Sequence, residues 1–181
     1  MIQTRAAMLV LVVGQSGAGK DSLLAGARAE FAGDAGIHFV RRVITRPPDP
    51  GGEPHEPVTE AAFLTREFAL SWSAHGLRYG IPANALAAAR VVVANVSRTV
   101  IAEAAARHRS RVIEVTAPDD VLTARLAARG REGPHDVARR LERRVAIPDG
   151  VIVDRVMNDS TLDEAIARFI AVLRRIITDN Q

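Results

Sequence analysis

Of the 24 lysines and arginines in the chain only Lys20 is a lysine, and it closes the run Gly14-Gln15-Ser16-Gly17-Ala18-Gly19-Lys20. Glycines at that spacing let the backbone curl until several N–H groups converge on one anion, and the ammonium at the end of the curl adds a point charge. The chemistry that needs this arrangement is phosphate binding. Asp21 follows, where such loops usually carry Ser or Thr to hold Mg²⁺. A carboxylate is a hard oxygen donor too, so Asp21 is expected to meet the metal directly or through water, with Ser22 as the alternative hydroxyl.

The elements around the run must hold it in place. Ala7–Val13 is a continuous apolar stretch of strand length, and Ser22–Arg28 has a helical pattern. Strand, glycine loop and helix in that order is the context a phosphate-binding loop requires, with the helix start adding the positive end of its dipole.

A second set of anion-binding candidates lies further on. Phe39-Val40-Arg41-Arg42-Val43-Ile44-Thr45-Arg46-Pro47 ends a predicted strand with three guanidiniums and a stiff turn. Alternation along an extended chain puts Arg42 and Arg46 on one face and Arg41 on the other, which suits a doubly phosphorylated ligand. Trp72–Pro82 is a glycine-punctuated hairpin that offers Arg78 and Tyr79, with Trp72 read as packing and His75 as a structural hydrogen-bonder. Between 125 and 144 come Arg125, Arg129, Arg131, Arg139, Arg140, Arg143 and Arg144. Pairs four residues apart share a helical face, and Glu132 and Glu142 are available to pair with Arg143 and Arg144.

Apolar runs at 7–13, 37–44, 90–96, 111–116 and 151–156 alternate with helical stretches near 20–31, 98–108, 119–129 and 161–177. That rhythm predicts an α/β fold with a central parallel sheet between helical layers. In the last helix Leu162, Ala165, Ile166, Phe169, Ile170, Leu173, Ile176 and Ile177 share one face, with Ser160 available as a cap and 178–181 expected to fray. The expected organisation is a single domain over 1–181: a core of 6–44, 90–128 and 149–178, a substrate arm at about 45–89 and a lid at about 129–148.

Composition narrows the function class. The chain has 181 residues, no cysteine and no apolar run of membrane-spanning length, which points to a soluble, cytoplasmic protein with no membrane partner. A sequence pI near 10.4 accompanies a formal charge of only +3, because arginine replaces lysine. With one Trp, one Tyr and five Phe, no RNA-binding aromatic motif joins the arginines, and no nucleic-acid partner is expected. Five histidines show no metal-ligand spacing. A homodimer is one arrangement open to the chain.

Together the phosphate loop, Thr45-Arg46 followed by Gly51-Gly52-Glu53, His75-Gly76-x-x-Tyr79-Gly80, the arginine-rich segment and Asn158-Asp159 resemble the guanylate kinase family of P-loop proteins over almost the whole chain. Within it Gly19–Leu24, Phe39–Pro47, Ala69–Trp72 and Ala94–Arg98 are most similar to the ribose 1,5-bisphosphate phosphokinases. The resemblance implies transfer of the γ-phosphoryl of ATP, with Mg²⁺, to ribose 1,5-bisphosphate, giving phosphoribosyl diphosphate and ADP in phosphonate breakdown. It also implies that Gly14–Ser22 and Asn158 hold the nucleotide, Arg41, Arg42, Arg46, Arg78 and Tyr79 the sugar bisphosphate, and that Lys20, Arg129 and Arg140 act on the transferring phosphate. Two departures from guanylate kinases stand out. Asp49 replaces a second arginine, and Ser71 replaces the guanine-reading Glu. Loss of that acid removes the partner of the base's polar edge, which argues against GMP as acceptor. The alternative is a nucleoside monophosphate kinase of guanylate type. The strand at 90–96 ends at Asn95 where an acid often binds metal, leaving Asp21 to supply that charge.

Overall fold

A computed structural model describes residues 6–47, 53–128 and 145–180, the side chains of 126–128 excepted. β1 (Met8–Gly14) is the apolar run before the glycine loop, and it is buried from Met8 to Val13. A strand that is apolar on both faces must be covered on both, which places it inside a parallel sheet. The observed order is β2 (Ile37–Phe39), β7 (Val91–Asn95), β1, β8 (Ser110–Thr116), β9 (Val153–Met157), all neighbours parallel.

The two faces of this sheet carry separate cores. Val10, Val12, Val93, Ile113 and Val115 meet Leu23, Leu24 and Ala27 of α1 (Lys20–Glu30) and Phe169 and Leu173 of α5 (Leu162–Thr178). Leu9, Leu11, Val13, Val92 and Val112 meet Ile101 and Ala104 of α3 (Ile101–Arg107) and, from the arm, Leu70 and Ile81. The period of two along each strand divides the residues this way. Among the described residues no helix is long and apolar enough to cross a membrane.

The arm is a second sheet, in the order β4 (Glu56–Pro57), β3 (Val43–Ile44), β6 (Leu77–Pro82), β5 (Phe68–Ala74). β5 and β6 form a hairpin whose two turn residues, His75 at φ 53 and Gly76 at φ 72, are both left-handed, as a tight hairpin requires. A short helix α2 (Glu60–Leu64), capped by the Thr59 hydroxyl, precedes it.

Four sequence expectations are corrected here. The run 37–44 is not one strand: β2 ends at Phe39 in the core sheet, and β3 begins at Val43 in the arm. Val40 still donates to the Val93 carbonyl of the core at 2.8 Å, whereas the Arg42 carbonyl already accepts from Glu56 of the arm at 2.8 Å. An apolar run reports burial, not which sheet does the burying. In the last helix the cap is Thr161 rather than Ser160, in a reciprocal box with Glu164. Leu162 is 50% exposed, because the first helical side chain leans back toward the helix start, off the packed stripe. Residues 178–180, expected to fray with 181, are tied down through Asn180. That residue is buried with its amide on the Ile176 carbonyl at 2.6 Å, and Asp179 beside it pairs with Arg111 at 3.1 Å. α4 (Asp119–Ala128) leads toward the arginine-rich segment.

Candidate active site

β1 delivers the chain to the loop at the carboxyl end of the sheet, and α1 starts at Lys20. Gly19, the N-cap of α1, sits at φ 87 and has no side chain with which to cap the first-turn N–H groups. A Cβ at Gly19 would overlap the Asn158 amide, and one at Gly14 would overlap the Val115 carbonyl. Glycine is required at both by space as well as by dihedral angle. Lys20 Nζ donates to the carbonyls of Gly14 at 2.7 Å and Gln15 at 3.1 Å, which hangs the ammonium across the loop. Ala18 and Gly17 are buried, whereas Ser16 and Ser22 are exposed.

Two side chains from distant parts of the chain brace the loop from behind. Asn158 is 2% exposed, and its amide donates to the Ala18 carbonyl at 2.8 Å. Arg125 of α4 donates to the Gly17 carbonyl at 3.4 Å. Asn158 thus acts on the loop itself.

Beside the loop an amide gathers two carboxylates. Asn95, 5% exposed at the end of β7, donates to Asp21 Oδ1 at 3.2 Å and to Glu53 Oε2 at 2.6 Å. Glu53 in turn accepts from Arg42 at 2.5 Å, and the Arg42 guanidinium lies 5.6 Å over the Tyr79 ring. Tyr79 is stacked on Trp72 across the hairpin, centroids 5.4 Å apart. A continuous path therefore runs from loop to arm: Asp21, Asn95, Glu53, Arg42, Tyr79, Trp72. Glu53 is the residue that sequence reasoning missed as a site member. Its signal was Gly51-Gly52-Glu53 in the arm, but only folding brings it onto Asn95.

The remaining arm arginines divide. Arg41 donates to the His55 carbonyl at 2.9 Å, and Arg46 has a buried Nε with no partner among the described residues. His55, itself 5% exposed, has its ring nitrogens 3.2 Å from the carbonyls of Glu53 and Arg46 and so clips the two sides of the crossing together. Arg78 is not brought to this group. It alternates with Tyr79 on β6 and pairs with Glu60 at 2.8 Å, 41% exposed. Arg129, Arg140 and Asp49 lie outside the described residues.

The donor set suits a hard divalent cation. Mg²⁺ characteristically takes one or two carboxylates together with water and substrate phosphate oxygens, and Asp21 and Glu53 are two carboxylates held on one amide beside a phosphate loop. Among the described residues no cluster of three or more acidic, His or Cys side chains offers a full protein cage.

Comparison with known proteins agrees with this architecture. No protein-family model matches the chain. It is 50% identical over 174 residues to the ribose 1,5-bisphosphate phosphokinase PhnN of Acidiphilium cryptum, covering 94% of each chain. It is 53% identical over 173 residues to the bifunctional ribose 1,5-bisphosphokinase-thymidine phosphorylase of Cupriavidus pinatubonensis, where it spans 91% of this chain and 29% of that protein. A guanylate kinase structure from Anaplasma phagocytophilum superposes with TM-score 0.61 at 17% identity, over 96% of this chain and 87% of that one, which is a likeness of fold. With a phosphate loop, a parallel α/β core and a 50%-identical relative matched over 94% of both chains, the chain belongs to the ribose 1,5-bisphosphate phosphokinase family of P-loop kinases.

Proposed function

We propose that the chain transfers the γ-phosphoryl group of ATP to the 1-phosphate oxygen of ribose 1,5-bisphosphate, giving 5-phosphoribosyl 1-diphosphate and ADP. The observation that carries this is the Asn95 node, which sets the loop's Asp21 and the arm's Glu53–Arg42 pair side by side. A donor triphosphate on the loop and an anionic acceptor on the arm then meet at one point.

The acceptor oxygen attacks the γ-phosphorus as the bond to the β-phosphate oxygen breaks, and ADP leaves with that electron pair. The transition state is loose and its charge spreads over the equatorial oxygens, so positioning and positive charge do most of the work. Lys20 and the first-turn N–H groups of α1 hold the β- and γ-phosphates. Arg41, Arg42, Arg46 and Tyr79 neutralise and orient the acceptor. Arg129 and Arg140 are assigned to the triphosphate, as the family resemblance implies. Asp21 and Glu53 would hold Mg²⁺, which supplies charge neutralisation across the phosphate oxygens. The nucleophile is already an anionic phosphate oxygen, so no general base is needed. A cytoplasmic location and a place in phosphonate breakdown are part of this reading.

Ser71 supports the choice of acceptor: it is exposed on β5 and offers a hydroxyl in place of the carboxylate that would read guanine. The test is ADP release in a coupled assay, with ribose 1,5-bisphosphate and GMP compared at equal concentration. Ribose 1,5-bisphosphate is expected to be preferred by orders of magnitude in kcat/KM; preference for GMP overturns the reading.

A further inference from the structure

α1 borders more than the phosphate loop. Asp21, Leu24, Ala25 and Arg28 recur at helical spacing along one side of it, and with Glu53 and Pro54 they line a cavity of about 310 Å³. That volume is at the lower end for a small-ligand site. One end carries the carboxylates gathered by Asn95, the middle is apolar, and the other end is Arg28. Asp21 and Arg28 are seven residues apart, about 10 Å along the helix axis.

Arg28 has the features of a held but uncommitted cation. Its guanidinium lies 5.9 Å over the Phe39 ring, and its Nε is buried with no hydrogen-bond partner among the described residues. A buried donor without a partner needs an explanation. His38, next to Phe39 in β2, is held below its usual range by burial and then by the Arg28 charge, so it stays neutral there and leaves the arginine as the local cation.

We propose that Arg28 anchors the phosphate at the far end of the acceptor, the 5-phosphate of the sugar bisphosphate, with the sugar lying along the apolar wall and the reacting 1-phosphate directed to Lys20. This rests on the acceptor reading above. It gives the site a way to require two phosphates: the near one reacts, and the far one is measured by its distance along α1. A guanidinium fork suits that task because it binds phosphate oxygens in pairs.

Ribose 1-phosphate, which keeps the reacting end and lacks the far phosphate, is the discriminating probe. In wild type the bisphosphate should exceed ribose 1-phosphate in kcat/KM by well over tenfold. Arg28→Ala should lower kcat/KM for the bisphosphate about tenfold or more while leaving turnover of ribose 1-phosphate and the KM for ATP unchanged. Arg28→Lys should recover part of the loss. An unchanged bisphosphate KM in Arg28→Ala overturns the assignment, and so does an equal loss with both acceptors, which would mark a structural role. A wild-type protein inactive on ribose 1,5-bisphosphate would instead defeat the acceptor reading itself, a failure visible before any variant is made.

Discussion

The phosphate loop and the crossing at 40–57 are neighbours in space and opposites in construction. The loop's turn is written in a few consecutive residues, glycines at 14, 17 and 19 at positive φ with a strand before and a helix after, and the distant Asn158 and Arg125 brace it from behind. The crossing takes its shape from partners far away in sequence. Arg42 needs Glu53 and Tyr79, and Glu53 needs Asn95, 42 residues on. On the proposed reading, donor binding rests mainly on a local motif and acceptor binding on contacts that only the tertiary fold makes.

The largest effect that would sharpen this contrast is at the loop. Lys20→Met should lower kcat about 10²- to 10³-fold by removing positive charge from the transferring group. Its thermal midpoint should stay near wild type, because the ammonium's bonds to the Gly14 and Gln15 carbonyls lie within the loop and join no two elements of the core. A variant with near-normal kcat would take the lysine out of the chemistry.

Next comes the junction between the two regions. If loop and crossing each contribute one carboxylate, Asp21→Asn and Glu53→Gln should both raise the Mg²⁺ concentration for half-maximal rate, by about tenfold each. The neutral replacements keep hydrogen-bonding capacity toward Asn95, so the loss reports charge. A shift in Asp21→Asn alone would put the metal on the loop and reduce Glu53 to an arm tether.

The smallest effect concerns His38, which precedes the crossing. Burial first, and the Arg28 charge second, lower its pKa from the usual 6.5. As pH falls, the unfolded chain takes up this proton before the folded one does. The histidine's contribution to stability is thus complete above about pH 6.5 and declines as pH drops below that value. His38→Gln should show a shallower fall in thermal midpoint between pH 7 and 5; parallel curves would remove His38 from the balance.

The same contrast explains what could be read in advance. Gly14–Lys20, the core strands and α5 were legible because periodicity and loop chemistry are local signals. Arg42 and Tyr79 were legible as anion-binding types, but not as a stack, since their contact depends on how β3 and β6 pair. Glu53 and Arg28 gave weaker signals. Glu53 stood in the sequence only as part of Gly51-Gly52-Glu53 and Arg28 only as part of a helical pattern, until folding places one on a buried amide and the other at the end of a cavity. The break at 40–42 was hidden because both halves of the run are buried. Asn158 drew notice as part of a nucleotide-side motif, whereas its position behind Ala18 depends on the register of β9 with β8.

The isolation of Lys20 has a practical consequence. It is the sole lysine in the sequence, and its ammonium is held across the loop. Among side chains an acylating reagent applied to the folded protein would mark that one spot, so the rate of modification at Lys20, with and without nucleotide, becomes a direct gauge of occupancy that needs neither an introduced label nor turnover.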